Sequence, residues 1–389
     1  MSESPDRSFV ELARREKLDA LRERGVAPFA YRFERTHTTA DALAAYREGA
    51  EGPGVAVAGR LVALRGHGKT TFAHVEDLSG RLQLYFRLDQ LGEEGYAVVG
   101  LLDLGDHAGV SGPLFRTRTG EITVRVERLT LLAKALRPLP LGKSAEREDG
   151  SVEHFSELSD AELRYRQRYA DLAVHPERRE AFVRRAAVVR AVRAFLDARG
   201  FLEVETPILQ PLYGGASARP FVTRYNALDA DFYLRIADEL YLKRLIVGGL
   251  ERVYEIGKDF RNEGMDRLHN PEFTMLECYQ AYADYTDVLE LTEGLVREAF
   301  RTVTGGQTAF VQGEPLDLAP AWRRAPFLEL LAEHSGVDLR SADDDRLRLA
   351  ITARDHEGND ALPPLVVVDA GHQALGHGRM LVEHALDFE

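Results

Sequence analysis

Apolar positions recur along this chain with two periods, and the changes of period divide it. Between Val55 and Leu132 apolar and polar residues alternate in short runs, VAVAGRLVAL, TTFAHVEDLSG, RLQLYFRLD, HAGVSGPLFRT and EITVRVERLTLL, separated by turn residues. Alternation marks strands with one buried face, and several such strands at short spacing predict a small barrel or sandwich. Ahead of them, Val10 to Glu23 carries Leu12, Leu18 and Leu21 among many charges and predicts a surface helix ending near Gly25. Residues 135–150, with Pro138, Pro140 and GKSAEREDG, have the composition of a linker. Helical patterning restarts over Glu162 to Arg168. From Glu177 to Arg199, just after Pro176, the apolar residues Phe182, Val188, Val189, Val192, Phe195 and Leu196 predict a long amphipathic helix stopped by Gly200. GFLEVETPIL then predicts a strand that breaks at Pro207.

The stretch from Glu251 to Asp284 reads as two apolar-polar strands around a charge-dense loop. Strand parity puts Phe273, Met275, Glu277, Tyr279 and Ala281 on one face, and Glu272, Thr274, Leu276, Cys278 and Gln280 on the other. A carboxylate and a phenol therefore share a face with an aromatic ring. Arg261 and Glu263 share a parity too, and a guanidinium beside a carboxylate suits a phosphate and an ammonium together. Any one of these residues is explained by an ordinary hairpin with solvated charges and with Phe273 and Tyr279 in the core. The set is not, because Arg, Asn, Glu and His crowded around one loop are a poor way to build only a surface turn.

At 389 residues, 44% hydrophobic and 29% charged, the chain has the composition of a globular protein and room for two domains. No run approaches the roughly 20 apolar residues of a membrane span, and Met1-Ser2-Glu3-Ser4 opens no secretory signal, so the expected location is cytoplasmic. A single cysteine, Cys278, excludes an internal disulfide framework and a cysteine-based zinc cluster. The net charge of -13 has the wrong sign for simply wrapping nucleic acid. Such a partner needs local basic patches, for which Arg60, Arg65, Lys69, Arg81 and Arg87 form one candidate and Arg116 with Arg118 another. No P-loop or dinucleotide fingerprint is present. Asp369, His372 and His377 match no metal-ligand spacing and read as structural or solvated.

FRNEG followed by HNPEFTMLE resembles motif 2 of the class II aminoacyl-tRNA synthetases, and the whole stretch from ERVYEIGKDFRNEG to HNPEFTMLECYQAYADY is similar to the lysyl members in particular. RYRQRYADL, GFLEVETPIL, GGASARPF and YLRIADELYLKRLIVGG agree, in order, over about Phe9 to about Phe300. The resemblance implies an α+β chain: residues 1–50 an N-terminal helical extension, 51–134 an OB-fold β-barrel binding the anticodon, 135–160 a linker, and 161–389 an antiparallel-sheet catalytic domain. It implies attachment of L-lysine to tRNA(Lys) through a lysyl-adenylate, with ATP and Mg2+. It also implies a homodimer built on the motif 1 helix and the GFLEVETPIL strand. Residue by residue, it makes Arg261 the catalytic bridge between the lysine carboxylate and the α-phosphate. Glu263, His269, Asn270 and Phe273 join Arg261 around ATP. Glu239, Glu277, Tyr279 and the backbone of Gly215 line the lysine pocket. In the barrel, Phe72 stacks a base while Gln83 and Glu121 hydrogen-bond base edges. The residues alone leave Phe72 open to a role in the barrel core, and Glu239 open to an exposed i,i+4 pair with Lys243.

Two departures stand out. Asp238 adds a charge beside the pocket, where the family usually has proline or a small polar residue. Motif 3 and the metal-binding carboxylates have no match, since GHGRMLVEHALDFE resembles at best the end of the insertion preceding them. The expectation is therefore a catalytic domain incomplete at its C-terminus, with no metal ligand in this sequence and impaired lysine activation. The competing expectation is a non-catalytic tRNA-binding or dimerising protein. The elongation-factor lysine ligase lacks the barrel, and aspartyl and asparaginyl relatives are disfavoured by Glu239, Glu277 and Tyr279.

Overall fold

The computed structural model describes residues 8–48, 52–140, 143–146, 152–155, 158–266 and 268–335, with side chains except at 143–155, 331, 334 and 335. Residues 336–389, including Asp369, His372, His377 and GHGRMLVEHALDFE, lie outside the described residues. The chain divides into two compact units, Met1–Ala181 and Phe182–Glu389.

In the first unit the alternating runs become β1 (Gly54–His67), β2 (Thr70–Glu76), β3 (Arg81–Arg87), β4 (His107–Arg116), β5 (Ile122–Arg125) and β6 (Arg128–Ala133). Five of them close a ring in the order β1-β2-β3-β5-β4, with β1 pairing back onto β4, and β6 adds to β4 outside the ring. All pairings are antiparallel except β3 with β5. Closure is driven by the inward set, among them Val57, Leu61, Val75, Leu82, Leu84, Phe86, Val110, Leu114 and Val124, all buried together. The ring closes tightly at Gly112, where a β-carbon would stand 1.9 Å from the Arg125 carbonyl oxygen. Two helices add to the expected strands and turns, one ahead of the run and one within it. They are α2 (Thr39–Ala45), which Thr38 and Asp41 close with a capping box, and α3 (Leu88–Gly100), which turns at Gly92 (φ 72°). The helix α1 (Phe9–Glu23) is more than a solvated surface helix. Leu18 and Leu21 are buried, and buried Arg14 donates to the carbonyls of Leu104 and Ala135 at 2.9 Å.

A short antiparallel pair, β7 (Lys143–Glu146) and β8 (Val152–Phe155), precedes α4 (Ala161–Arg166) and α5 (Arg168–Val174). Asp171, fully buried on α5, holds this region together. It accepts from Arg164 Nε at 3.0 Å, Arg168 Nη1 at 2.9 Å and His175 Nδ1 at 2.8 Å. Arg179 Nη2 reaches Glu76 Oε1 at 2.7 Å and its Nε the Leu172 carbonyl at 2.7 Å, tying the end of β2 to α5.

The second unit takes most of α6 (Arg179–Asp197), then β9 (Leu202–Glu203), β10 (Leu209–Gln210), β11 (Val222–Tyr225), β12 (Ala230–Leu234), α7 (Glu239–Val247), β13 (Arg252–Phe260), β14 (Glu272–Gln280) and α8 (Tyr285–Thr304). The hairpin β15 (Thr308–Val311) and β16 (Glu314–Asp317) and the helix α9 (Phe327–Ser335) follow. β13 and β14 pair antiparallel along their whole length, and β9 adds in parallel to β13. A second sheet has the order β10-β12-β11. The strand expected from GFLEVETPIL is reduced to two short pieces, because Thr206-Pro207 bends and Thr206 turns its amide and hydroxyl onto Glu255. α6 and α8 cover one face of the hairpin through Val192, Leu196, Phe201 and Tyr254, with Leu276, Cys278, Leu291 and Leu295 against them. α6 stops as predicted at Gly200 (φ 77°). Among the described residues no helix is long and apolar enough to cross a membrane.

Candidate functional site

With Tyr254, Ile256, Leu276 and Cys278 turned towards α6 and α8, the hairpin presents Glu255, Gly257, Asp259, Phe273, Glu277 and Tyr279 on its other face. This is the parity expected for β14. α7 lies against that face and starts at Asp238-Glu239. The Asp238 amide donates to Glu277 Oε1 at 3.3 Å and the Tyr279 hydroxyl to Oε2 at 3.0 Å. Gly215 has φ 93°, and a β-carbon there would sit 2.9 Å from Glu239 Cβ, so the backbone approaches as only glycine allows. Gly215, Glu239, Glu277 and Tyr279 are thus brought together. The i,i+4 pair is also real, with Lys243 Nζ 2.7 Å from Glu239 Oε1, but Glu239 is buried rather than exposed. Burial raises the Glu277 carboxyl above its ordinary range. The hydrogen bonds from Tyr279 and from the Asp238 amide oppose that shift, and Asp259 and Glu239 add to it.

Behind these residues lies a charge cluster that sequence reasoning missed. Arg235, 1% exposed, places Nη1 at 2.6 Å from Glu255 Oε1, 2.8 Å from Asp238 Oδ1 and 3.1 Å from Thr206 Oγ1. Its Nε donates to the Lys258 carbonyl at 2.9 Å and lies 3.2 Å from Asp259 Oδ1. Gly257 leaves room for the guanidinium, since a β-carbon would meet Arg235 Nη2 at 1.9 Å. Asp238, expected only as an added charge, is wholly buried, as is Asp259. The available signal was parity, which puts Glu255 and Asp259 on the same face of β13 as the partners of Glu277 and Phe273.

Beyond β13, the Arg261 guanidinium lies over the Phe273 ring, 5.1 Å from its centroid, and its amide donates to the Pro271 carbonyl at 2.9 Å. Phe273 is half-buried, with the cation over its face rather than a place in the core. The shared parity of Arg261 and Glu263 does not apply, because β13 ends at Phe260. Glu263 instead accepts from the Arg219 amide at 3.2 Å, and the Asn262 amide donates to the Arg219 carbonyl at 2.7 Å, fastening the loop to GGASARPF. His269 and Asn270 are exposed, with His269 Nδ1 2.8 Å from Asp266 Oδ2.

On the barrel, Phe72 faces outward, not into the core. It stacks on Tyr85 at 4.5 Å, and Tyr85 meets Phe115 at 5.8 Å. Beside this aromatic row Gln83 Nε2 donates to Glu121 Oε2 at 2.6 Å, His74 Nε2 lies 2.8 Å from Glu121 Oε1, and Thr123 Oγ1 donates to Gln83 Oε1 at 2.7 Å. Phe72, Gln83 and Glu121 therefore share one face. Tyr85, His74, Phe115 and Thr123 were missed, though the outward parity of β2 and β3 identifies the first two. The basic patches are partly spent within the protein. Arg81 pairs with Glu76, Arg87 with Asp89, and Arg116 lies over Tyr46, whereas Arg65, Lys69 and Arg118 remain exposed.

This chain belongs to the class II tRNA synthetases of the D, K and N group: residues 160–369 match that family, running past Phe300, and residues 55–132 match the OB-fold nucleic acid binding domain. Within the group, a protein of Pelotomaculum thermopropionicum named "Lysine--tRNA ligase" is 53% identical over 334 residues, covering 85% of this chain and 63% of the relative. Proteins of the same name from Carboxydothermus hydrogenoformans and Moorella thermoacetica are 50% and 52% identical, over 85% and 87% of this chain and 65% and 67% of their own. The chain thus spans less than two thirds of the length of the first two. Among the described residues no group of three His, Cys, Asp or Glu side chains is arranged to hold a metal ion.

Proposed function

We propose that the chain activates L-lysine with ATP and transfers it to tRNA(Lys), acting in the cytoplasm as a homodimer. The observation that carries this reading is the meeting of buried Glu239 with half-buried Glu277 and Tyr279 and with Gly215, on the hairpin face that also carries Phe273 beneath Arg261. Two carboxylates in a confined site match the two ammonium groups of lysine, either of which would cost several kcal/mol if desolvated without a partner. An aspartate or asparagine side chain would leave one carboxylate unpaired.

In the proposed reaction a lysine carboxylate oxygen attacks the α-phosphorus of ATP, the bond to the β-phosphate oxygen breaks, and pyrophosphate leaves. A ribose hydroxyl at the tRNA 3′ end then attacks the lysyl carbonyl and AMP departs. No enzyme nucleophile is needed. Glu239 and Glu277 hold the ammonium groups, and Tyr279 keeps Glu277 oriented. Arg261 spans the lysine carboxylate and the α-phosphate, where charge develops. Phe273 stacks the adenine, with Glu263, His269 and Asn270 around the nucleotide. Mg2+ would arrive with the ATP phosphates. Among the described residues no cluster of three carboxylate or imidazole side chains is arranged to hold it. In residues 51–134, Phe72 stacks an anticodon base while Gln83 and Glu121 read base edges. Residues 1–50 form the extension, 135–160 the linker and 161–389 the catalytic domain.

Calorimetric titration of the 389-residue chain with lysine, aspartate and asparagine tests the substrate. Saturable binding of lysine alone, removed by Glu277→Gln, is expected. Equal heats from all three, or a Glu277→Gln chain that binds lysine as before, contradict the reading.

A further inference from the structure

Four carboxylate oxygens, those of Asp238 and Asp259, are buried without a hydrogen-bond donor in proper geometry, although Arg235 forms an ion pair with each residue. Both carboxyls converge on that one guanidinium, Asp238 Oδ1 2.8 Å from Nη1 and Asp259 Oδ1 3.2 Å from Nε. Two ionised carboxylates are acceptors only, so a hydrogen bond between them requires a proton. Around them stand Arg235 ahead of α7, Glu255 on β13, Arg261 beyond it and Glu277 on β14, with Glu239 on α7, itself paired with Lys243, and Tyr279 next to Glu277. Arg235 forms an ion pair with each of them, and it is already shared with Glu255 at 2.6 Å.

We infer that Asp238 and Asp259 are positioning residues of the amino-acid pocket, sharing one proton so that the cluster around Arg235 keeps a single net negative charge behind Glu239 and Glu277. The inference rests on the lysine pocket proposed above and adds to it how the pocket's charge is set. With one proton shared, two negative charges face one guanidinium. With none, a third anion is buried against Glu277. Asp238 is also a mechanical link, since its amide holds Glu277 and it immediately precedes Glu239. Burial, and after it the neighbouring Asp259, raises the Asp238 carboxyl. Burial also raises Asp259, against the pull of Arg235 and Arg261.

The folded chain holds this proton above the ordinary aspartate range, where the unfolded chain has lost it. The proton's contribution to stability is therefore full in acid and falls as pH rises towards the folded value. The amide introduced by Asp238→Asn or Asp259→Asn supplies the same donor without a titrating proton. Both single variants and the double variant are compared with the parent by thermal melting from pH 5 to 9 and by lysine titration at pH 7, with Glu277→Gln as a separate probe of the pocket. Each single variant is expected to bind lysine within about threefold of the parent and to lose the parent's downward slope of Tm with pH. The double variant, which removes the remaining charge, is expected to bind lysine about tenfold more weakly. The proposal is overturned if the single variants keep the parental slope, fail to fold at pH 7, or weaken lysine as much as the double. If neither the parent nor Glu277→Gln binds lysine, the pocket reading fails and the positioning role falls with it, while the melting slope still decides whether a proton is shared.

Discussion

A strand residue without a side chain is what allows Arg235 to lie flat beneath the pocket. Gly257→Ala would push a β-carbon to 1.9 Å from Arg235 Nη2, and the guanidinium cannot yield because Glu255, Asp238 and Thr206 fix it. The substitution is expected to cost roughly 1–3 kcal/mol in urea unfolding at pH 7. Gly54→Ala, with nothing within 4 Å of the added carbon, should change stability by less than about 0.5 kcal/mol. The pocket carboxylates were legible because Glu277 and Tyr279 stand at even spacing in a strand, and because the resemblance singled out Glu239. Arg235 and Asp259 were not legible. Arg235 is a lone polar residue in an apolar run and Asp259 one charge among many between Lys258 and Glu263, and what makes each a buried partner is the arrival of side chains from distant stretches, as with Thr206 and Glu255.

Elements followed the hydrophobic period where burial is one-sided and departed from it where packing overrides local preference. The barrel strands appear where alternation put them. The helix α3 does not announce itself, since Gly92, Gly95 and Gly100 depress helix propensity, yet it forms because Leu91, Tyr96 and Val99 cover the barrel core. Between α4 and α5, burial works to raise the Asp171 carboxyl, but hydrogen bonds from His175, Arg164 and Arg168 outweigh it and hold the group below its ordinary range. The stabilisation this gives is complete above the ordinary aspartate range and is lost as pH falls through the lowered value. Asp171→Asn is accordingly expected to cost about 1–3 kcal/mol at neutral pH, and the gap from the parent should narrow below about pH 4. Chemical unfolding at several pH values measures both. On the barrel, the outward Phe72–Tyr85 stack offers a platform to an unpaired base. Phe72→Ala in the full chain should weaken binding of a lysine anticodon stem-loop by roughly 1–3 kcal/mol at fixed salt, with little change for a scrambled loop.

The molecule as a whole is acidic, with a net charge of -13, so a nucleic-acid partner has to be guided by local features such as Arg65, Lys69 and Arg118 on the barrel rather than by the overall field. The second unit exposes large apolar side chains, including Phe182, Leu202, Leu209, Leu212 and Val222, on α6, the short strands and the loops between them. Apolar surface of this kind suits a second copy of the chain, and sedimentation at micromolar concentration is expected to give a dimer. A monomer with these residues exposed would contradict the homodimer proposal. The central claim is narrower: a site whose paired carboxylates select lysine adjoins one whose arginine and aromatic ring hold an adenylate. Titration of the full chain with a non-hydrolysable lysyl-adenylate analogue, alongside its aspartyl and asparaginyl counterparts, tests both halves at once. The account predicts saturable binding of the lysyl analogue, at least about 100-fold tighter than either counterpart, which corresponds to about 2.7 kcal/mol. Comparable affinity for all three analogues, or preference for an acidic or amide side chain, would contradict it.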